Sequence, residues 1–352
     1  MNDMQDIGGA PQGSVPAGAP QNSPIVIHNH MPKPPWLGRS LLRLLLFVSI
    51  FANIVLIASN PDFVPEPRAN EKFLSGEKKS KDKIAVIRMD EMITGETIKQ
   101  PKKELEYAAD DRNVRAVVLA VSSPGGTISA SDELYHAIEA FKAKTKKPVV
   151  VWMTGMATSG AYYISMPADQ IFAERSCVTG SIGVILSLFD LSKLAADWGI
   201  KPETVKSGKM KDSGSFLKPL TEEERAEWQK MIDAMYAQFL EVILKHRSGK
   251  IGGEDKLRGY ADGRVYIAQE ALDLGLIDNL GYQEDALAAA AKHAGLELDK
   301  VRVITYQRPY DSFLEVFGGR AASPAESPFQ RFLEAQMPQF LLLPRGIVGY
   351  AK

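Results

Sequence analysis

VRAVVLAVSSPGGT, residues 114–127, decides how this chain folds. Of its first nine residues all but Arg115 and Ser122 are apolar, and four are the β-branched valine. A strand wetted on one face would alternate apolar with polar residues. This run does not, and it predicts a strand covered on both faces. SPGGT then breaks the strand at a turn where two glycines let the backbone approach something closely. Working outward, KIAVIRMDEMI (83–93) and PVVVWM (148–153) read as further strands, with IFAE (171–174) after them. Helices fall between them, over Pro101–Asp111, Ser129–Lys144 and Gly160–Ser165. Leu134, Ala137, Ile138 and Phe141 share one face of the second of these. Strands and helices alternating at this length predict an α/β layered fold with crossover connections. Further helices are expected over Glu222–His246, 268–278 and Gln283–Ala294, and a late strand over 301–306. Thr221 is the expected N-cap of the long helix, with Glu224 at capping-box spacing.

The chain has 352 residues and a net charge of −1, so no polyanionic partner such as nucleic acid is implied. Its one cysteine, Cys177, allows no internal disulfide. Residues 1–38 are rich in Gly, Pro, Ser, Asn and Gln and read as a disordered tail, with a weak His28-x-His30 metal signal. LLRLLLFVSIFANIVLIA (41–58) would span about 27 Å as a helix, close to the hydrocarbon thickness of a bilayer. Lys33, Arg39 and Arg43 precede or open it, and Asp62 and Glu66 follow it. A transmembrane signal anchor over 39–59, with a cytoplasmic N-terminus, is therefore expected. Residues 60–82 read as a linker, 83–318 as the folded domain, and 319–352 as a C-terminal extension containing the apolar run FLLLPRGIVGY (340–350).

Two stretches carry candidate chemistry. SSPGG (122–126) offers backbone N–H groups that could stabilise an oxyanion. It is not a dinucleotide fingerprint, because G-x-G-x-x-G is absent, and SGKM (207–210) is not a phosphate loop. GMATSGAYYIS (155–165) places Ser159 at a strand-to-helix turn, where a nucleophile gains access. The alternative for Ser159 is an ordinary helix cap. A nucleophilic serine needs a proton acceptor. His136, His246 and His293 have no local spacing that ties them to Ser159. A lysine can serve only when neutral, against a free pKa of about 10.4, and burial can depress that by several units. KSGKMKD (206–212) offers Lys206, Lys209 and Lys211, which could equally be a solvated run.

Six blocks in series resemble the signal peptide peptidase A family, Ser/Lys proteases of the ClpP/crotonase superfamily. They are SPGG (123–126), ATSGAYYIS (157–165), ADQIFAE (168–174), VTGSIGVI (178–185), SGKMKD (207–212) and ADGRVYIAQEALDLGLID (261–278). The similarity covers about residues 83–295. It implies a ClpP/crotonase-like fold of stacked ββα units. By resemblance, Ser159 is the nucleophile, Lys211 the general base, and Ser181 the serine that orients the lysine. Gly126 and Gly160 are the oxyanion-hole donors. The resemblance further implies no metal or cofactor, remnant signal peptides and other apolar peptides as substrates, and a ring-like homo-oligomer with each site built within one chain. It also implies an inner-membrane location, with the protease domain on the extracytoplasmic side. Thr158 and Ala161 stand where relatives often carry Ala and Gly. Two other readings compete: a crotonase-like acyl-CoA enzyme, for which Ser159 would be dispensable, and a catalytically inactive oligomeric scaffold.

Overall fold

A computed structural model describes residues 36–59, 70–307 and 340–342. The chain divides into two units, one ending at Glu66 and the other beginning at Pro67. Of the first unit, one helix is described, α1 (Trp36–Ser59). Its side chains from Leu41 to Leu56 are largely exposed and apolar. Arg43, Ser49 and Asn53 interrupt that surface, and the Asn53 amide donates to the Ser49 carbonyl at 2.7 Å. Among the described residues no helix is long and apolar enough to cross a membrane, so the span expected over 39–59 is not carried by the structure. The tail with His28 and His30 lies outside the described residues, as does most of the extension from 319.

The second unit opens with strands β1 (Asn70–Gly76) and β2 (Lys83–Met89), helix α2 (Lys99–Asp110), strands β3 (Val114–Ser123) and β4 (Gly126–Thr127), and helix α3 (Ile128–Thr145). Strand β5 (Val149–Thr158), helix α4 (Gly160–Ile164), and strands β6 (Gln170–Ala173), β7 (Val178–Gly180) and β8 (Ile185–Leu186) follow. Next come helices α5 (Ser192–Asp197), α6 (Glu222–Ile251) and α7 (Glu254–Tyr260), strand β9 (Val265–Ile267), helix α8 (Ala268–Asp273) and strand β10 (Asn279–Leu280). Helix α9 (Gln283–His293) and strands β11 (Arg302–Gln307) and β12 (Phe340–Leu342) complete the described elements.

The main sheet runs in the order β1-β11-β2-β3-β5-β6-β10, and β7 extends it by pairing with both β5 and β9. Strands β11, β2, β3, β5, β6 and β10 are mutually parallel, each with its neighbour, and β1 closes one edge antiparallel to β11. Strand period puts alternate residues on opposite faces. Ala85, Ile87, Val117, Leu119, Val121, Val149, Val151 and Met153 pack under α2, α3, α4 and α6. Ile84, Val86, Ala116, Val118, Ala120, Val150 and Trp152 pack against α9 on the other side. Covered faces on both sides explain the near-continuous apolar runs of β3 and β5. Residues 70–76, expected to be linker, are instead strand β1, paired with the late strand from Asn70↔Gln307 to Gly76↔Arg302. Its pattern is too polar to announce a strand, because it is an edge with only one covered side. The long helix starts at the expected capping box on Thr221 but runs five residues past His246, to a left-handed cap at Gly252 with φ 87°.

Candidate active site

Strand β5 aims the site. It pairs with β6 through Met153↔Ala173, then with β7 from Met156↔Val178 to Thr158↔Gly180. Between those partners the register against β3 slips, from Val121↔Met153 to Ser123↔Ala157. The extra residues form a bulge containing Gly155 at φ 60°. This bulge carries the end of β5 away from β6 and delivers Ser159 at the strand tip. Two hydroxyls tie the tip down. Thr158 donates to the Pro124 carbonyl at 3.0 Å, and Thr179 donates to the Ala157 carbonyl at 2.6 Å.

Ser159 sits at φ 56°, ψ −117°, a conformation that costs a non-glycine residue on the order of 1–3 kcal/mol. The surroundings hold it there. Its N–H donates to the Gly180 carbonyl at 2.8 Å, and its carbonyl accepts from the Tyr163 N–H at 2.9 Å. All five residues of α4 are buried, and the Tyr162 hydroxyl donates to the Leu276 carbonyl at 2.8 Å. The Ser159 side chain is fully buried, yet its Oγ has no hydrogen-bond partner. Buried hydroxyls nearly always have one, so this atom is held strained and unpaired.

Two glycines meet beside it. A Cβ on Gly160 would lie 3.2 Å from the Gly126 backbone nitrogen and 2.4 Å from Ser131 Oγ. A Cβ on Gly126 would lie 1.9 Å from the Ile93 carbonyl oxygen. A side chain at either position would clash as the surroundings stand, and the Gly126 main-chain nitrogen packs directly against Gly160. Helix α3 fixes the first of these from the other end. Thr127, directly after Gly126, caps it by accepting from the Ala130 N–H at 3.4 Å. Ser131, fully buried, donates to the Thr127 carbonyl at 2.9 Å. Ser123 donates to the Glu91 carbonyl at 2.6 Å and accepts from the Gly125 N–H at 3.2 Å, which pins the SPGG turn. Sequence reading missed Ser123, Ser131 and Thr179 as positioning groups. A lone serine or threonine gives no local signal of the carbonyl it will meet.

Ser181 follows β7 at φ 51°, nearly buried, with its N–H donating to the Arg264 carbonyl at 2.7 Å. A cleft of about 740 Å³ opens beside it, lined by Val184, Ile185 and Val265 among others. Lys211 is elsewhere in character. It lies in a turn region between α5 and α6 and is exposed. Since Ser159 Oγ has no partner, neither Ser181 nor Lys211 reaches it within one chain. The expectation of a dyad closed within a single chain is therefore not met in this arrangement, because a surface turn holds the amine while strand β5 buries the hydroxyl. The same loop nevertheless separates its three lysines. Lys206 pairs with Asp212 at 2.7 Å, and Lys209 pairs with Glu223. Among the described residues Lys211 has no carboxylate partner. The hydrogen bonds from Lys206 and Lys218 hold the Asp212 carboxyl below its ordinary range, so that acid is committed away from Lys211.

The histidines are accounted for otherwise. His246 meets the Tyr135 hydroxyl at 3.0 Å, and burial lowers its pKa. His293 meets Gln170 at 3.3 Å, and His136 is exposed.

Comparison with known proteins bears on this arrangement. The model of peptidase family S49 matches residues 141–297, and that of Clp protease matches residues 78–183. A Synechocystis protein named "Putative protease slr0021" is 36% identical over 240 residues, covering 68% of this chain and 84% of that protein. An Enterococcus faecium protein named "Putative signal peptide peptidase SppA" is 36% identical over 210 residues, covering 60% of this chain and 59% of that protein. Among solved structures, a mutant of ClpP1 from Listeria monocytogenes aligns with a TM-score of 0.39 at 16% identity, covering 57% of this chain and 93% of that one.

Proposed function

The chain belongs to peptidase family S49, and from that premise we propose that it is a serine endopeptidase in which Ser159 is the nucleophile. One observation carries the reading: a buried hydroxyl without a partner, on a strained residue, followed by a glycine that packs against Gly126. Ser159 Oγ attacks a peptide carbonyl, and its proton passes to a neutral lysine amine. The Gly126 and Gly160 N–H groups take the negative charge on the carbonyl oxygen. The ammonium returns the proton to the leaving amine, and water then releases the acyl group with the same amine as base. Lys211 fills that role, because its neighbours Lys206 and Lys209 are engaged by Asp212 and Glu223, whereas Lys211 has no carboxylate partner among the described residues. Ser181, next to the cleft and nearly buried, orients the amine once it arrives. This reading requires the Lys211 turn to come over Ser159, on peptide binding or on assembly into the ring-like homo-oligomer that the resemblance implies.

The substrates in this reading are remnant signal peptides and other apolar peptides, supported by the apolar residues Val184, Ile185 and Val265 beside Ser181. Attachment to the inner membrane, with the catalytic unit on the extracytoplasmic side, is supported by the exposed apolar side chains of α1 and the charge asymmetry around 41–58. The test is direct. A serine-directed phosphonate probe should label Ser159, and Ser159→Ala should abolish both labelling and peptide hydrolysis with an unchanged melting temperature. Full turnover in Ser159→Ala would leave the acyl-CoA reading standing. An intact oligomer with an unlabelled Ser159 would favour the scaffold.

A further inference from the structure

Strands β4, β12 and β8 form a small sheet of their own, with β12 in the middle. The pairing is antiparallel on both sides, with Leu341↔Thr127 and Leu342↔Gly126 on one edge, and Phe340↔Leu186 and Leu341↔Ile185 on the other. The segment from the C-terminal extension therefore bridges the turn that holds Gly126 and the strand that borders the cleft beside Ser181.

The direction of the Gly126 donor follows from its neighbours. Thr127 N–H donates to the Ile93 carbonyl at 2.9 Å, and the Gly125 carbonyl accepts from Ile93 N–H at 2.8 Å. Main-chain groups alternate sides along a strand. The Gly126 N–H and C=O accordingly face the other way, toward β12 and its paired residue Leu342. That N–H is the donor assigned above to the oxyanion, next to Gly160 and Ser159. A peptide that binds by adding a strand uses such an edge, taking main-chain hydrogen bonds for affinity.

We propose that residues 340–342 occupy the peptide groove between β4 and β8 as a resident pseudosubstrate, which an incoming peptide must displace. This rests on the peptidase reading of the same site. The surrounding sequence, PQFLLLPRG (338–346), fits such a role. Its apolar centre matches the proposed substrate class. Pro338 and Pro344 bracket the strand, and a proline has no N–H to continue a ladder, so the pairing stays short and displaceable. Tethering gives a short segment an effective concentration on the order of 1 mM. A segment that fills the groove about nine-tenths of the time weakens a competing peptide roughly tenfold, because only the vacant fraction can bind it.

The experiment uses the full chain carrying Ser159→Ala, so that binding is read without hydrolysis. Fluorescein-labelled PQFLLLPRG is titrated and followed by anisotropy. Leu341→Pro, which removes a main-chain donor from the middle of β12, should bind the peptide about tenfold more tightly than the chain with its own Leu341. Gln336→Pro, outside the strand, should bind like the latter. Equal affinity in all three chains, or no binding in any, overturns the proposal. In chains that keep Ser159, Leu341→Pro should lower KM for a short apolar peptide about tenfold at unchanged kcat. If anisotropy responds as expected but no chain hydrolyses peptide, the groove assignment stands and the peptidase reading falls.

Discussion

The tip of β5 and the turn around Lys211 make opposite halves of one proposed site. At the tip every main-chain group of Ser159 is engaged, the adjoining helix is buried throughout, and strain is held in place by packing. Around Lys211 the chain is a series of exposed turns whose ion pairs bind its neighbours and leave Lys211 out. In the proposed mechanism the nucleophile and its backbone donors are built by the fold of one chain, while the base comes from a segment with little burial to fix it. A strained, dry hydroxyl can be prepared in advance because the sheet over-determines it. An amine that must be both neutral and accessible gains those conditions only when something covers it.

The largest effect expected from this contrast is at the amine. Lys211→Met should lower kcat/KM about 10³-fold or more, while Lys206→Met and Lys209→Met stay within about tenfold of the unaltered chain. Loss in Lys209→Met with turnover kept in Lys211→Met would reassign the base. Next comes the frame beneath the tip. Arg247, almost fully buried, pairs with Asp278 at 2.9 Å, and Asp278 also accepts from the Ile171 N–H at 2.8 Å. Asp278→Asn should cost about 3–5 kcal/mol in denaturant melts by leaving the guanidinium unpaired, with activity per folded molecule preserved.

Burial alone would raise the Asp278 carboxyl, but the hydrogen bond and charge of Arg247 and the contact with Lys250 outweigh it and hold the group below its ordinary range. Its contribution is then complete above the unfolded-state value, about 3.9, and is lost as pH falls through the lower folded-state value. Acid unfolding of the unaltered chain should therefore be steeper below about pH 4 than that of Asp278→Asn. Equal slopes would remove Asp278 from the account.

At the junction of the two glycines, Gly160→Ala should cost about 1–3 kcal/mol through its clash with Ser131 Oγ, and Ser131→Ala should recover most of it. A double variant as unstable as Gly160→Ala would show that the clash lies elsewhere. The smallest effect concerns strain. Ser159→Gly should melt as if about 1 kcal/mol more stable than Ser159→Ala, because only glycine takes φ 56° without penalty.

Much of the sheet was legible because its strands are covered on both faces, which writes a continuous apolar run into 116–121 and 149–153. Thr221 and Glu224 were legible as a cap because both partners lie within one turn. Strand β1 was not, since one-sided cover at an edge leaves Asn70, Lys72 and Ser75 in the pattern. Ser159, Gly126 and Gly160 could be picked out as a turn and a strand end, but their meeting could not. It depends on β3 and β5 lying side by side, with a bulge of no fixed sequence between them.

Local sequence alone determined which segments are buried, where helices begin, and which residue types could act as nucleophile, donor and base, because periodicity and capping act over a few residues. Only tertiary structure decided that Ser159 is strained and unpaired, that two distant glycines share one spot, that Lys211 stays outside in a single chain, and that residues 340–342 lie along Gly126. Each of these is a contact between segments far apart in the chain, and such contacts are set by sheet order and packing, which no short stretch encodes.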